Sequence, residues 1–146
     1  MLVDGTCKAG SESDCVLSAG CKSAGRRCVP VAGRCAAASA QACRDADICK
    51  HFARCTPDGY TCLLGSDQDC AGSELCAVDG LCALAQPPSR CIAVADEDCR
   101  SSSLCRATGR CSLKEERCQV ISDEDCRRSK LCTKGGACRA EQGVCM

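Results

Sequence analysis

The sequence predicts a small disulfide-rich repeat protein: an elongated, solenoid-like array with one short α-helix per 27–29-residue unit and otherwise irregular chain. Three observations predict it. Cysteine supplies 21 of 146 residues, well above the share that marks a disulfide scaffold. The cysteines recur in a fixed order of spacings. Little else is present to build a core, with one Phe, one Tyr and no Trp.

The hydrophobic fraction of 45% conceals that last point, because 21 of those residues are Cys and 20 are Ala. The larger aliphatics are ten Leu, eight Val and three Ile. Large aromatic and branched side chains usually dominate core energetics. Small folds that lack them are held by disulfides or metals. Disulfides persist in oxidising compartments, so the expected location is secreted, extracellular or cell-surface.

The cysteines stand at 7, 15, 21, 28, 35, 43, 49, 55, 62, 70, 76, 82, 91, 99, 105, 111, 118, 126, 132, 138 and 145. The spacings run 8, 6, 7, 7; 8, 6, 6, 7; 8, 6, 6, 9; 8, 6, 6, 7; 8, 6, 6, 7. A period of this kind marks a repeat architecture. Other positions repeat with it. Ser66-Asp67-Gln68-Asp69 and Ser122-Asp123-Glu124-Asp125 precede a first cysteine, as do Ser11-Glu12-Ser13-Asp14 and Ala95-Asp96-Glu97-Asp98. Ser18, Ala46, Ser73, Ser102 and Ser129 follow three residues after it. Ile48, Leu75, Leu104 and Leu131 precede the second cysteine, and Gly25, Gly80, Gly109 and Gly135 or Gly136 follow it. Repeat two departs most, with Lys50-His51-Phe52-Ala53-Arg54 in place of the glycine.

Ser66 and Ser122 suit a helix N-cap, and the acidic residues after them complement the dipole of a first helical turn. Asp69 and Asp125 approximate a capping box, which prefers Glu or Gln. The later glycine ends the helix in a left-handed conformation. The remainder reads as turn, marked by Val29-Pro30, Thr56-Pro57-Asp58-Gly59 and Gln86-Pro87-Pro88-Ser89. The first two cysteines of a unit are six apart and diverge by about 120° around a helix. They are therefore expected to reach different elements. The expectation is about ten disulfides, each typically worth about 2–4 kcal/mol. Spacing alone leaves their connectivity open.

The phase is set by the four cysteines of each unit. Residues 1–7 read as the tail of a preceding repeat, with repeat one at 8–35, repeat two at 36–62, repeat three at 63–91, repeat four at 92–118 and repeat five at 119–146. The expected disulfide residues are Cys15, Cys21, Cys28 and Cys35; Cys43, Cys49, Cys55 and Cys62; Cys70, Cys76, Cys82 and Cys91; Cys99, Cys105, Cys111 and Cys118; and Cys126, Cys132, Cys138 and Cys145. Cys7 is left over. Val3-Asp4-Gly5-Thr6-Cys7 parallels Pro57-Asp58-Gly59-Tyr60-Thr61-Cys62. Cys7 is expected to lack an intrachain partner, so that it is unpaired or bonds another chain.

The pattern S-D-x-D-C-x2-S-x-L-C, then G-x-C and a closing cysteine, is best carried by Ser66 to Cys91 and Ser122 to Cys145. It resembles tandem repeats in predicted secreted proteins of myxobacteria and related bacteria. The spacing is also distantly similar to small cysteine-rich modules of animal extracellular proteins of the Dickkopf amino-terminal type. The first resemblance implies export and a surface or extracellular role. It carries over no activity and no catalytic residue.

Other chemistries are weighed against plainer readings. Structural zinc sites usually pair ligands as C-x2–4-C. The closest cysteines here are six apart, which favours disulfides over metal and removes C-x-x-C redox and haem motifs. His51 is the only histidine, and a surface position is favoured over a Cys–His nucleophile, which also needs an oriented base and an oxyanion site. The acidic runs Asp96-Glu97-Asp98 and Asp123-Glu124-Asp125 favour capping and dipole roles over calcium, which wants six to eight oxygens in a loop. Thr6, Thr56, Thr61, Thr108 and Thr133 fall out of register, against the threonine rows of ice-binding faces.

No catalytic, metal or cofactor residue is therefore expected. Lys+Arg and Asp+Glu balance at 19 each, without the basic surplus of a nucleic-acid binder. No apolar run approaches the length of a membrane span. Met1-Leu2-Val3-Asp4 lacks the start of a signal peptide, so a secreted chain is expected to have had its signal removed or placed upstream. The expected function is an extracellular structural protein, a stiff spacer or fibre subunit whose partners are other copies of itself end to end. The alternative is a secreted or surface binding module that contacts a protein or glycan. It would use variable loops such as Gln86-Pro87-Pro88-Ser89, or the region of His51, Phe52 and Tyr60. An enzyme has no supporting constellation.

Overall fold

A computed structural model describes residues 2–3, 6–7 and 12–146, with the backbone alone for 2, 3, 6, 7, 12, 36 and 37. The chain divides into two compact units, Met1–Gly65 and Ser66–Met146. The first opens with a two-stranded ribbon of β1 (Leu2–Val3) and β2 (Thr6–Cys7). Repeat one follows as α1 (Glu12–Val16), α2 (Ala19–Ala24), β3 (Val29–Val31) and β4 (Arg34–Ala37). Repeat two is α3 (Ala40–Asp45), α4 (Asp47–Phe52), β5 (Thr56–Asp58) and β6 (Thr61–Leu63).

The second unit holds three repeats of the same order. They are α5 (Asp67–Ala71), α6 (Glu74–Asp79), β7 (Ala83–Ala85) and β8 (Arg90–Ile92); α7 (Asp96–Ser101), α8 (Ser103–Thr108), β9 (Ser112–Lys114) and β10 (Arg117–Gln119); and α9 (Asp123–Arg127), α10 (Lys130–Gly135), β11 (Ala140–Glu141) and β12 (Val144–Cys145). Each strand pair is an antiparallel hairpin.

Two expectations need correction here. Each repeat carries two short helices rather than one, and its remainder is a β-hairpin rather than irregular chain. The cause of the first lies in the serine three residues after the first cysteine. Ser102 has extended angles, φ −73° and ψ 155°. Its Oγ donates to the carbonyl of Cys99 at 2.7 Å and accepts from the amide of Cys105 at 3.1 Å. One hydroxyl thus ends α7 and N-caps α8, satisfying backbone groups that a helix terminus leaves orphaned. Ser129 does the same between Cys126 and Cys132, at 2.7 and 3.3 Å. Ser73 donates to Cys70 at 2.8 Å, and Ser18 accepts from Cys21 at 3.2 Å. Repeat two has Ala46 there, with the same break, φ −74° and ψ 149°, but no side-chain cap.

The hairpins contain the segments read as turn. Pro30 and Pro57 lie inside β3 and β5, where a two-stranded ribbon leaves outward N–H groups unpaired and proline is tolerated. Tight two-residue turns join most pairs. Glu115 and Glu116 both have positive φ, 51° and 63°, as do Ala32 and Gly33, and Gln142 and Gly143. That is the signature of a type I′ turn, which matches the strand twist.

The disulfides nest within each repeat, first cysteine to fourth and second to third. The outer bonds are Cys15–Cys35, Cys43–Cys62, Cys70–Cys91, Cys99–Cys118 and Cys126–Cys145. The inner ones are Cys21–Cys28, Cys49–Cys55, Cys76–Cys82, Cys105–Cys111 and Cys132–Cys138. The outer bond ties the first helix to the second hairpin strand. The inner bond ties the second helix to the segment just beyond it. Loop-closure entropy gives about 3 kcal/mol for each outer bond and about 2 kcal/mol for each inner one. Helices of five or six residues are too short to persist alone, so these bonds and their packing hold them. Among the described residues, twelve of the sixteen buried apolar ones are cysteines, the others being Ala46, Ala53, Ala93 and Val120. The core is mostly sulfur.

The backbone of Cys7 lies on the second strand of its ribbon, the position of the closing cysteine in every other hairpin. Its side chain, and so the expectation about its partner, falls outside the described residues.

Candidate functional site

The features that repeat most faithfully are the junctions between successive repeats. At their centre is the glycine that ends the second helix. Gly25, Gly80 and Gly109 all have left-handed φ, 62°, 74° and 82°. Each is buried. A Cβ built on Gly109 would stand 2.6 Å from the Sγ of Cys145, 3.0 Å from the carbonyl oxygen of Asp125 and 3.2 Å from the Cα of Cys126. On Gly80 it would stand 2.6 Å from the Sγ of Cys118 and 2.9 Å from the carbonyl oxygen of Asp98. On Gly25 it would collide with the Sγ of Cys62 and reach within 3.1 Å of the Cα of Cys43. The outer disulfide of one repeat thus seats on the bare backbone that ends the helix of the repeat before. The sulfur of Cys145 lies 3.3 Å from the carbonyl oxygen of Thr108, and that of Cys62 lies 3.5 Å from Gly25.

Polar contacts complete the junctions. The amide of Ala38 donates to the carbonyl of Gly59 at 2.9 Å, and that of Ala93 to Glu116 at 2.9 Å. The hairpin tip of a repeat therefore receives the segment by which the chain enters that same repeat. Between repeats four and five, Ser112 Oγ donates to Asp125 Oδ1 at 2.8 Å. Second helices also pack on each other, α2 on α4 in the first unit and α6 on α8 and α8 on α10 in the second.

The acidic helix starts act on backbone. Asp67, Asp96 and Asp123 accept the amides of Leu84, Leu113 and Ala140, at 2.7, 2.7 and 2.8 Å. Each joins the first helix to its own hairpin. Asp125 completes a capping box with Ser122, so an aspartate serves where Glu or Gln is usual. Glu124 pairs with Arg128 at 3.3 Å and Arg127 at 3.8 Å on an exposed surface, where such pairs contribute little. Among the described residues no group of three or more His, Cys, Asp or Glu is placed to hold a metal.

His51 is exposed on α4, its ring edge-on to Phe52 with centroids 6.4 Å apart. Phe52 is 62% exposed, and Tyr60, at a hairpin tip, is 73% exposed. The loop Gln86–Ser89 is exposed and contains a cis Pro87–Pro88 bond. A groove of about 640 Å³ in the second unit brings Arg90, Arg110 and Arg117 near Leu81, Ile92 and Leu104, with Asp79, Glu115 and Glu116 on its walls. Arg90 forms an ion pair with Glu116. In the first unit, Val16, Lys22, Gln41 and Asp45 line a space of about 420 Å³. Among the described residues, every buried side-chain nitrogen or oxygen has a hydrogen-bond partner.

Sequence reasoning identified the glycine as a helix end but not as the seat of a disulfide. The signal was its fixed distance after the second cysteine. It identified the recurring serine without its role, although serine favours capping geometry over a helix interior. Compared with known proteins, the chain matches no family model, no curated protein and no solved structure. It is a disulfide-rich chain of repeated spacing, and among its described residues no helix is long and apolar enough to cross a membrane.

Proposed function

We propose that the chain is an extracellular structural protein, a disulfide-stapled stiff spacer or fibre subunit. One observation carries this reading: the same glycine–disulfide contact recurs at all three junctions within the compact units. A protein whose most regular feature is the join between its modules is suited to hold spacing. The sulfur core supports it further, because ten disulfides protect short helices that would otherwise fray and be cleaved. Disulfides also favour an oxidising compartment, as does the resemblance to exported bacterial repeats.

A second reading is a surface binding module for a protein or glycan. The exposure of Phe52 and Tyr60, the chain's only Phe and Tyr, favours it, since exposed aromatics are enriched at recognition surfaces. Electron microscopy of the purified protein discriminates. End-to-end assemblies support the structural role. Discrete particles without end contacts at all concentrations, together with ligand capture lost in Phe52→Ala and Tyr60→Ala, replace it with the binding role.

A further inference from the structure

We propose that the groove of the second unit binds an extended peptide of a partner protein, one in which aliphatic side chains stand beside one or two carboxylates. This site goes beyond the structural role, and its test is independent of that role. The groove measures about 640 Å³, within the range of about 300–1,000 Å³ usual for ligand sites. Three repeats line it. Arg90 and Arg117 hold the same place in repeats three and four, just before the closing cysteine. Leu81 and Arg110 likewise share the place just after the helix-ending glycine. Gly143 comes from the hairpin tip of repeat five. A groove that crosses successive repeats suits an extended ligand, as the surfaces of stacked repeats generally do.

Leu81, Ile92 and Leu104 supply the apolar part of the lining. All three are half-buried, and Leu81 packs on the cluster of Ala93, Cys99 and Cys118. The charges are unevenly paired. Arg90 is occupied by Glu116. Arg110 and Arg117 are exposed, and among the described residues neither has an ion pair or a side-chain hydrogen bond. Their backbones adjoin Cys111 and Cys118, both held in disulfides, which limits the entropy lost when a ligand orders the two side chains. A free guanidinium presents a planar fork that matches a carboxylate. Asp79, Glu115 and Glu116 share the lining and equal the three arginines in number, so a dense polyanion such as nucleic acid or an acidic polysaccharide is repelled. Among the described residues, no aromatic ring lines the groove for a sugar to stack on. Alternation along an extended peptide places carboxylates on one face and aliphatic side chains on the other, which answers both the free arginines and the apolar lining.

Fluorescence anisotropy with the intact, oxidised chain tests this, using a labelled hexapeptide of alternating leucine and aspartate as the probe. The probe should bind with a dissociation constant below about 1 mM. Arg110→Gln and Arg117→Gln should each weaken it about tenfold, the scale of a lost charge-assisted hydrogen bond. Their far-UV spectra should match the parent's, because neither side chain makes a contact that holds the single chain together. Arg100→Gln, exposed on α7 of the same unit and outside the groove, should bind as the parent does. Probes that exchange leucine for serine, or aspartate for lysine, should each bind at least about tenfold more weakly. Absence of binding at about 1 mM, or equal affinity in the parent and both arginine variants, overturns the proposal. So does polygalacturonate, if it binds more tightly than the peptide and loses that affinity in the same variants. None of these outcomes bears on end-to-end assembly, which electron microscopy reads.

Discussion

Gly109 faces the Sγ of Cys145 so closely that a Cβ on the glycine would stand 2.6 Å from the sulfur. Two independent demands fall on this residue, a left-handed backbone and bare space. Gly136 carries only the first. Gly109→Ala should therefore destabilise by about 2–4 kcal/mol, combining left-handed strain with overpacking. Gly136→Ala should lose about 1–2 kcal/mol from strain alone. Denaturant unfolding with the disulfides intact measures both, and equal losses would remove the junction from the explanation.

The hydroxyl at the helix break is the second determinant. Ser102→Ala removes a donor to Cys99 and an acceptor for Cys105 in a fully buried position. The expected loss is about 1–2 kcal/mol. Repeat two offers the reverse experiment. Ala46 already has the backbone angles of Ser102, so Ala46→Ser should gain about 1 kcal/mol by supplying the missing cap. Thermal melting of the two variants against the parent gives opposite shifts if the serine acts as described.

Much of this was legible beforehand, and the omissions have physical causes. The cysteine period agrees with the recurring pairing pattern of the disulfides, and the Ser66 and Ser122 caps appeared where their chemistry required. The two helices were merged into one because the polar and apolar pattern continues through Ser18, Ser73, Ser102 and Ser129. Only the hydroxyl's access to both flanking helices breaks it. The hairpins were missed because Thr56-Pro57-Asp58 and Val29-Pro30-Val31 carry proline, which usually argues against strand. The Glu115-Glu116 turn has neither Asn nor Gly to announce it. The junctions were illegible because they depend on bare backbone meeting a disulfide from another repeat.

That glutamate turn gives a third prediction. Glu115 holds φ 51° at the first central position of its turn, a strained place for a side chain other than Asn or Gly. Glu115→Asn leaves the Arg90–Glu116 pair intact and should stabilise by up to about 1 kcal/mol. A denaturant midpoint that does not rise would show that the turn is relaxed by other means.

Limited reduction should follow burial. Cys43 and Cys62 are wholly buried and Cys70 and Cys91 nearly so, whereas Cys49, Cys55, Cys76 and Cys82 are half-buried. A thiolate must reach a sulfur to attack it, so the inner bonds of repeats two and three should open before their outer bonds, and that of repeat five, where Cys132 and Cys138 are half-buried as well, should open with them. Alkylation during a reduction time course reads the order directly. Earlier labelling of Cys43 or Cys70 would contradict it.

The most direct test of the account is a disulfide map of the unreduced protein by proteolysis and mass spectrometry. Nested pairing predicts Cys99 joined to Cys118 and Cys105 joined to Cys111, with the same first-to-fourth and second-to-third order in all five repeats. A bond between cysteines of two different repeats, or one joining the first and second cysteines of a repeat, would contradict it.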